Sequence, residues 1–161
     1  MNPKPDLARR PSRRRLLVMA GGAAVALAAA RMLAGPAQAA PAEARRLLER
    51  LTQGKAKAGR IRLGVAEIVE NGNLVPVTLS VDSPMTAGDH VRRLHLVAER
   101  NPQALAASFT FTPLGGKAEV QVRIRLLDSQ TVFAVAEMSD GSLWIAEKSV
   151  QVTVGGCTGS G

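Results

Sequence analysis

Tyrosine is missing from this chain, and only one tryptophan, three phenylalanines, one cysteine and two histidines occur among its 161 residues. So few aromatic rings leave almost no platform for stacked bases, which excludes single-stranded nucleic acid as a natural partner. A single cysteine excludes an internal disulfide and a haem-attaching Cys-x-x-Cys-His motif. The two histidines, His90 and His95, have no cysteine or carboxylate cluster to complete a zinc or iron set, and both read as surface or interface side chains. Gly-x-Ser-x-Gly, phosphate-loop and dinucleotide motifs are absent as well. No catalytic residue, metal ligand or cofactor is therefore assigned. The longest apolar stretch, Leu16 to Ala30, is closed by Arg31 and is shorter than the roughly 20 residues of a transmembrane helix.

That stretch belongs to an N-terminal segment, residues 1–39, with the layout of an export signal. Lys4, Arg9, Arg10 and Arg13 to Arg15 precede it, and Ala37-Gln38-Ala39 supplies small residues for cleavage. Ser12-Arg13-Arg14-Arg15-Leu16-Leu17 resembles the twin-arginine export motif, with Arg13 and Arg14 as its pair. The alternative is an ordinary Sec signal with extra arginines. Either way the protein is expected in the periplasm.

Removing the signal changes the charge. The whole chain carries a formal +8, but seven of its 21 cations lie in residues 1–39 against one acid, Asp6. The remaining 122 residues hold 14 Lys+Arg and 12 Asp+Glu, a net charge of +2. So balanced a surface gives little counterion-release affinity for nucleic acid, and nothing in it requires a membrane. The length suits one domain with a modest core.

Along that chain, residues 40–58 contain a helix: Pro41 near its start, Leu47, Leu48 and Leu51 at helical spacing, and Gly54 as its stop. It reads as an appendage, with Arg45, Arg46 and Arg50 on a solvated face. From Arg60 the apolar period becomes two. Ile61 to Val65, Val75 to Val81, Leu94 to Ala98, Leu105 to Phe111, Val120 to Leu126, Val132 to Ala136, Leu143 to Ile145 and Val150 to Val154 are expected strands with one buried face. Turn sequences separate them: Asn71-Gly72-Asn73, Ser83-Pro84-Met85, Asn101-Pro102, Pro113 to Gly116 and Asp140-Gly141, the last a two-residue hairpin signal. The pattern predicts an all-β, immunoglobulin-like antiparallel β-sandwich over residues 59–154, with an N-terminal helix and a flexible C-terminal arm. Pro76 places its strand at an edge or a bulge. Trp144, read as outward beside Leu143 and Ile145, has two open roles: anchoring a partner or completing the core.

The arm is residues 155–161, Gly155-Gly156-Cys157-Thr158-Gly159-Ser160-Gly161, and it carries the only thiol. Glycine costs most to order, so Gly155, Gly156, Gly159 and Gly161 describe a segment that stays mobile, whereas a packing cysteine would sit inside a strand or helix. No Lys, Arg or His lies within eight residues on the amino side of Cys157, where Lys148 is the nearest cation. The chain supplies no local activation for the thiol, nor a resolving cysteine for a redox sensor. A lipid-attachment role fails on position, because Cys157 is neither at a signal cleavage site nor four from the end.

The ending Val152-Thr153-Val154-Gly155-Gly156-Cys157 resembles that of the SoxY family, sulfur-carrier subunits of thiosulfate-oxidising Sox systems. Asn71-Gly72-Asn73-Leu74-Val75-Pro76, Val81-Asp82-Ser83-Pro84-Met85, Phe109-Thr110-Phe111-Thr112-Pro113 and Ser139-Asp140-Gly141-Ser142 extend the likeness over residues 59–157. Thr158 departs from it, standing where the family has glycine. The resemblance implies a carrier rather than an enzyme. It implies pairing with a SoxZ-like subunit as a heterodimer, and covalent attachment of sulfur species to Cys157. It also implies loading by a c-type haem enzyme, hydrolysis by a manganese hydrolase and, in systems that have one, oxidation by a molybdenum sulfane dehydrogenase. Twin-arginine export accords with the family. Read without the resemblance, the same chain also fits an exported immunoglobulin-like assembly or adhesion module with an incidental thiol.

Overall fold

The computed structural model describes residues 39–154, and the elements below lie within them. Helix α1, Ala39–Thr52, matches the expected helix closely. Its end is marked by Thr52, whose Oγ1 donates to the Leu48 carbonyl at 2.7 Å, and by the left-handed backbone of Gln53 and Gly54. Nine strands follow: β1 Lys57–Ala58, β2 Ile61–Gly64, β3 Ile68–Asn71, β4 Val75–Val81, β5 Val91–Ala98, β6 Leu105–Thr110, β7 Ala118–Ile124, β8 Gln130–Met138 and β9 Leu143–Val154. They form a larger sheet in the order β1-β9-β8-β5-β6, with β3 also on β9, and a smaller sheet in the order β2-β4-β7. The two sheets enclose one core, built from Val75, Val77, Leu79 and Val81 of β4 against Leu94, Leu96 and Ala98 of β5 and Val132, Ala134, Ala136 and Met138 of β8. The expected all-β sandwich is the observed fold.

Several details differ from the periodicity. The expected strands at Leu143 and Val150 are one continuous strand, β9. The break in the pattern comes from Lys148, which pairs with the buried Val132 and shares the inward register of Val150; its amine escapes to Glu67 Oε1 at 3.6 Å. Two short strands with little apolar signal, β1 and β3, pair with β9 in parallel, so the sandwich is antiparallel except along this edge. Pro76 lies in the central strand of its sheet. Its neighbour β2 stops at Gly64, opposite Thr78, so β4 has an open flank where the proline sits, and no ladder bond is lost there. The turn at Asp140-Gly141 is a three-residue loop, Ser139 to Gly141, closed by the Gly141 N–H on the Met138 carbonyl at 3.0 Å; Gly141 has φ +80°, the left-handed residue such a loop requires.

Trp144 belongs to the core. The pairing puts it in the register of Val150 and Val152, and it packs against the sandwich interior, while Leu143 and Ile145 face the other way. The expected register of this segment was therefore one residue out, which exchanges the faces of every side chain. The indole N–H donates to Ser142 Oγ at 3.2 Å, and the Arg60 guanidinium lies 5.2 Å from the ring centroid. Gly59, at φ +119°, passes the ring so closely that a Cβ there would sit 3.2 Å from Trp144 Cζ3.

The helix is not an appendage. Ala44, fully buried, packs with Val97 of β5 and Ala104, and Leu47, Leu48 and Leu51 pack with Phe133 of β8 in the same cluster. Ala44, Leu47, Leu48 and Leu51 follow the i, i+3, i+4, i+7 stripe of a core-facing helix. The larger sheet is thus covered on both faces, by the smaller sheet and by α1, and β5 and β8 bury side chains of both registers. Arg45, Arg46 and Arg50 are exposed, as expected. Introducing a carboxylate at Ala44 would strand it between helix and sheet without a partner. Ala44→Glu is expected to lower stability by about 2–4 kcal/mol and the exposed Ala42→Glu by less than about 0.5 kcal/mol, measured by urea unfolding.

Candidate functional site

The residues that the sequence nominates for chemistry, Cys157 with Gly155, Gly156, Gly159 and Gly161, lie outside the described residues, as do Arg13 and Arg14. What is described is the root from which the Cys157 segment starts. Antiparallel pairing with β8 ends at Gln130 and Val150, so the last four residues of β9 have lost that neighbour. Three other contacts replace it. Strand β3 pairs with Gln151, Val152 and Val154, and the Gln151 N–H donates to the Glu67 carbonyl at 2.7 Å. Where β8 would have continued, the Ser129 hydroxyl accepts from the Val152 N–H at 2.9 Å. The Val154 carbonyl accepts from the Gly72 N–H at 2.8 Å, and the Gly72 carbonyl in turn accepts from the Leu126 N–H at 2.8 Å.

The loop that supplies Ser129 and Leu126 is itself held by a side-chain network. Gln130, a buried polar residue at 5% exposure, accepts from the Arg100 N–H at 2.8 Å and donates to Asn101 Oδ1 and the Asp128 carbonyl, each at 3.0 Å. Asn101 donates to the Arg125 carbonyl at 2.7 Å and accepts from the Leu127 N–H at 3.1 Å. Among the described residues no buried polar side-chain atom lacks a partner. Cys157 is three residues beyond Val154, so chain length bounds its distance from the end of β9 at about 10–11 Å. Sequence reasoning missed Ser129, Gln130 and Asn101, because Asn101-Pro102 reads as a turn and the other two carry no motif.

A second feature lies on the outer face of the larger sheet, toward the opposite end of β9. A cleft of about 650 Å³ is bounded by Arg50 and Leu51 of α1, Lys55, Lys57 of β1, Arg93 and His95 of β5, Glu137 of β8, and Ser142 and Leu143 at the β8–β9 hairpin. Glu137 is already engaged by Arg92 at 3.1 Å and Arg93 at 3.6 Å. His95, half-buried with Nδ1 3.0 Å from Ser108 Oγ, has its pKa held below the ordinary histidine value by burial first and by Arg93 second, while Glu137 pulls the other way. His90 is elsewhere, its Nδ1 3.1 Å from the Thr86 carbonyl, so the two histidines do not form a pair. Among the described residues no three His, Cys, Asp or Glu side chains are grouped to hold a metal ion, and no helix is long and apolar enough to cross a membrane.

With this geometry in hand, the comparisons decide the family. The family model for the sulfur oxidation protein SoxY matches residues 48–157, from the middle of α1 through Cys157. The chain belongs to the SoxY family. Among solved structures it is similar to the sulfur carrier protein SoxY from Chlorobium limicola f thiosulfatophilum, at 26% identity and a TM-score of 0.53, covering 68% of this chain and 94% of that one. A superoxide reductase (neelaredoxin) from Ignicoccus hospitalis gives a TM-score of 0.53 at 20% identity over 67% of this chain and 86% of its own. One from Nanoarchaeum equitans gives 0.51 at 17% over 60% and 98%. At those identities the two reductases share the fold alone. A search of curated proteins finds no match. The SoxY match begins earlier than the likeness read from residues 59–157 and takes in the C-terminal turns of α1, in keeping with a helix that is part of the core.

Two expectations follow from the site. Ser129→Ala removes the acceptor for the Val152 N–H, with an expected cost of about 1–2 kcal/mol. Hydrogen exchange should quicken first at Val152; unchanged protection there would show that β3 alone holds the root. At His95, the unfolded chain takes up a proton more readily than the folded one. Well above pH 6.5 both states are neutral and His95 contributes nothing; as the pH falls through the ordinary histidine value of about 6.5, proton uptake by the unfolded chain erodes stability. His95→Gln should flatten the stability loss between pH 7 and pH 5, measured by denaturant midpoints.

Proposed function

We propose that this SoxY-family protein is a periplasmic carrier that holds thiosulfate-derived sulfur covalently on Cys157 and presents it to successive enzymes. The observation that carries the reading is that the family match runs through Cys157, three residues past a strand end pinned by Gly72, Ser129 and β3. The solved relative from Chlorobium limicola f thiosulfatophilum is described as a sulfur carrier, which supports the same role here.

In this reading the domain holds still and the arm supplies reach. A c-type haem enzyme oxidatively joins the Cys157 sulfur to the sulfane sulfur of thiosulfate. A manganese hydrolase adds water and releases sulfate, leaving the second sulfur on the cysteine. That sulfur is oxidised by a molybdenum dehydrogenase in systems that have one, and hydrolysis restores the thiol. Activation of the thiol comes from these partners, since no cation lies near it in sequence. A SoxZ-like subunit completes the carrier, and export by the twin-arginine route through Arg13 and Arg14 delivers the chain to its enzymes.

The test is the intact mass of protein purified from thiosulfate-grown cells. Its mass should place the start near Ala40 and show sulfur adducts confined to the C-terminal peptide. Cys157→Ser should abolish thiosulfate-dependent oxidation with stability within about 0.5 kcal/mol of the parent. Gly155→Pro with Gly156→Pro should slow turnover while the thiol remains titratable, because proline fixes φ where the arm needs freedom. Full activity of the serine variant would refute the role, and an assembly module would survive deletion of residues 155–161.

A further inference from the structure

The cationic cleft between α1 and the β8–β9 hairpin is not used by the arm chemistry. Arg50, Lys55 and Lys57, from the end of α1 to β1, and Arg93 of β5 reach it, against one carboxylate, Glu137. Its lining therefore carries +3, whereas residues 40–161 as a whole carry only +2. The rest of residues 40–161 therefore sums to −1, although a second concavity beside β7 is lined by Arg123 and Arg125 without a carboxylate. The C-terminus of α1 adds about half a negative charge nearby, which is too little to reverse the sign. Arg50, Lys55 and Lys57 take part in no ion pair among the described residues.

Shape and lining narrow the occupant. Volumes of about 300–1,000 Å³ are those of clefts that enclose sizeable ligands, and a bare oxyanion would fill little of this one. Leu51, Val135 and Leu143 give it an apolar floor beneath the charged groups. That combination matches a chain segment alternating carboxylates with aliphatic side chains. Neither end of this chain qualifies. Residues 1–39 carry seven cations and one acid, the wrong sign. Residues 155–161 hold no carboxylate side chain and no leucine, isoleucine or valine.

We infer that this cleft is a docking site for an acidic, leucine-bearing segment of a partner protein. The site takes carboxylates on Arg50, Lys55, Lys57 and Arg93 and aliphatic side chains on its floor, and it leaves the arm free at the far end of β9. The inference rests on the cleft and not on Cys157, so Cys157→Ser should dock as the parent does, and failure of the carrier role would leave it standing.

The probe is the capped peptide Glu-Glu-Leu-Glu-Glu-Leu-Glu-Glu, titrated into the isotope-labelled full-length chain and followed by amide shifts. Saturable shifts are expected at Lys57, Arg93 and Ser142, with affinity at least tenfold weaker in 300 mM than in 50 mM NaCl as the ion pairs are screened. Lys55→Glu with Lys57→Glu should weaken binding at least tenfold. Arg123→Glu with Arg125→Glu, an equal charge change on a different face, should change it less than twofold. The N-terminal arginines are common to all variants, so differences between variants isolate the cleft. If the double glutamate variant misfolds, Lys55→Gln with Lys57→Gln should still weaken binding severalfold. Absence of shifts at the cleft, equal weakening in both charge-reversal variants, or sodium sulfate saturating the cleft while the peptide fails to displace it would each overturn the proposal.

Discussion

The parallel pairing of β3 with the last residues of β9 is the constraint on which the C-terminal end of the sandwich depends. Strand β8 stops at Gln130, and beyond Val150 the chain would otherwise be free on that flank. The β3 ladder, the Ser129 hydroxyl on the Val152 N–H and the Gly72 N–H on the Val154 carbonyl hold it in line. Each is an ordinary hydrogen bond of modest net worth, about 1 kcal/mol. Together they hold β9 as far as Val154, three residues before Cys157 in the sequence. The Asn101–Gln130 network fixes the loop that supplies Ser129 to β9 and the Leu126 N–H to the Gly72 carbonyl, which makes a buried glutamine more useful there than an aliphatic side chain.

The larger sheet is covered twice, and this sets the placement of everything on its outer face. Because α1 lies on Val97, Ala104 and Phe133, only the part of that face beyond the helix end stays open. There the cleft forms, floored by Val135 and Leu143 and ringed by three cations of residues 50–57 and by Arg93 of β5. The cleft and the arm root lie at opposite ends of β9. A contact at one end of β9 therefore leaves the other unobstructed.

The described domain is a stable, self-contained design: its core is filled by aliphatic side chains of both sheets, and no buried polar side-chain atom among the described residues lacks a partner. Membership of the SoxY family places that design in sulfur oxidation.

Much of this was legible in the sequence. Alternation gave β4, β5, β6, β7 and β8 close to their observed bounds, the leucine spacing gave α1, and the glycine-rich ending with its lone cysteine marked the family. These are local signals, carried by residues near one another along the chain. The structure decided what depends on distant partners. The buried face of α1 exists only because β5 and β8 present apolar side chains to it, and Trp144 turned inward because β8 sets the register of β9. The weak segments β1 and β3 became strands only because β9 offered a free edge. The cleft followed the same rule, since Arg50, Lys55, Lys57 and Arg93 share no motif and meet only when α1, β1 and β5 pack around the hairpin. A periodic pattern determines which way a side chain faces within its own element, but which elements meet is fixed by the burial and hydrogen bonding of the whole chain at once.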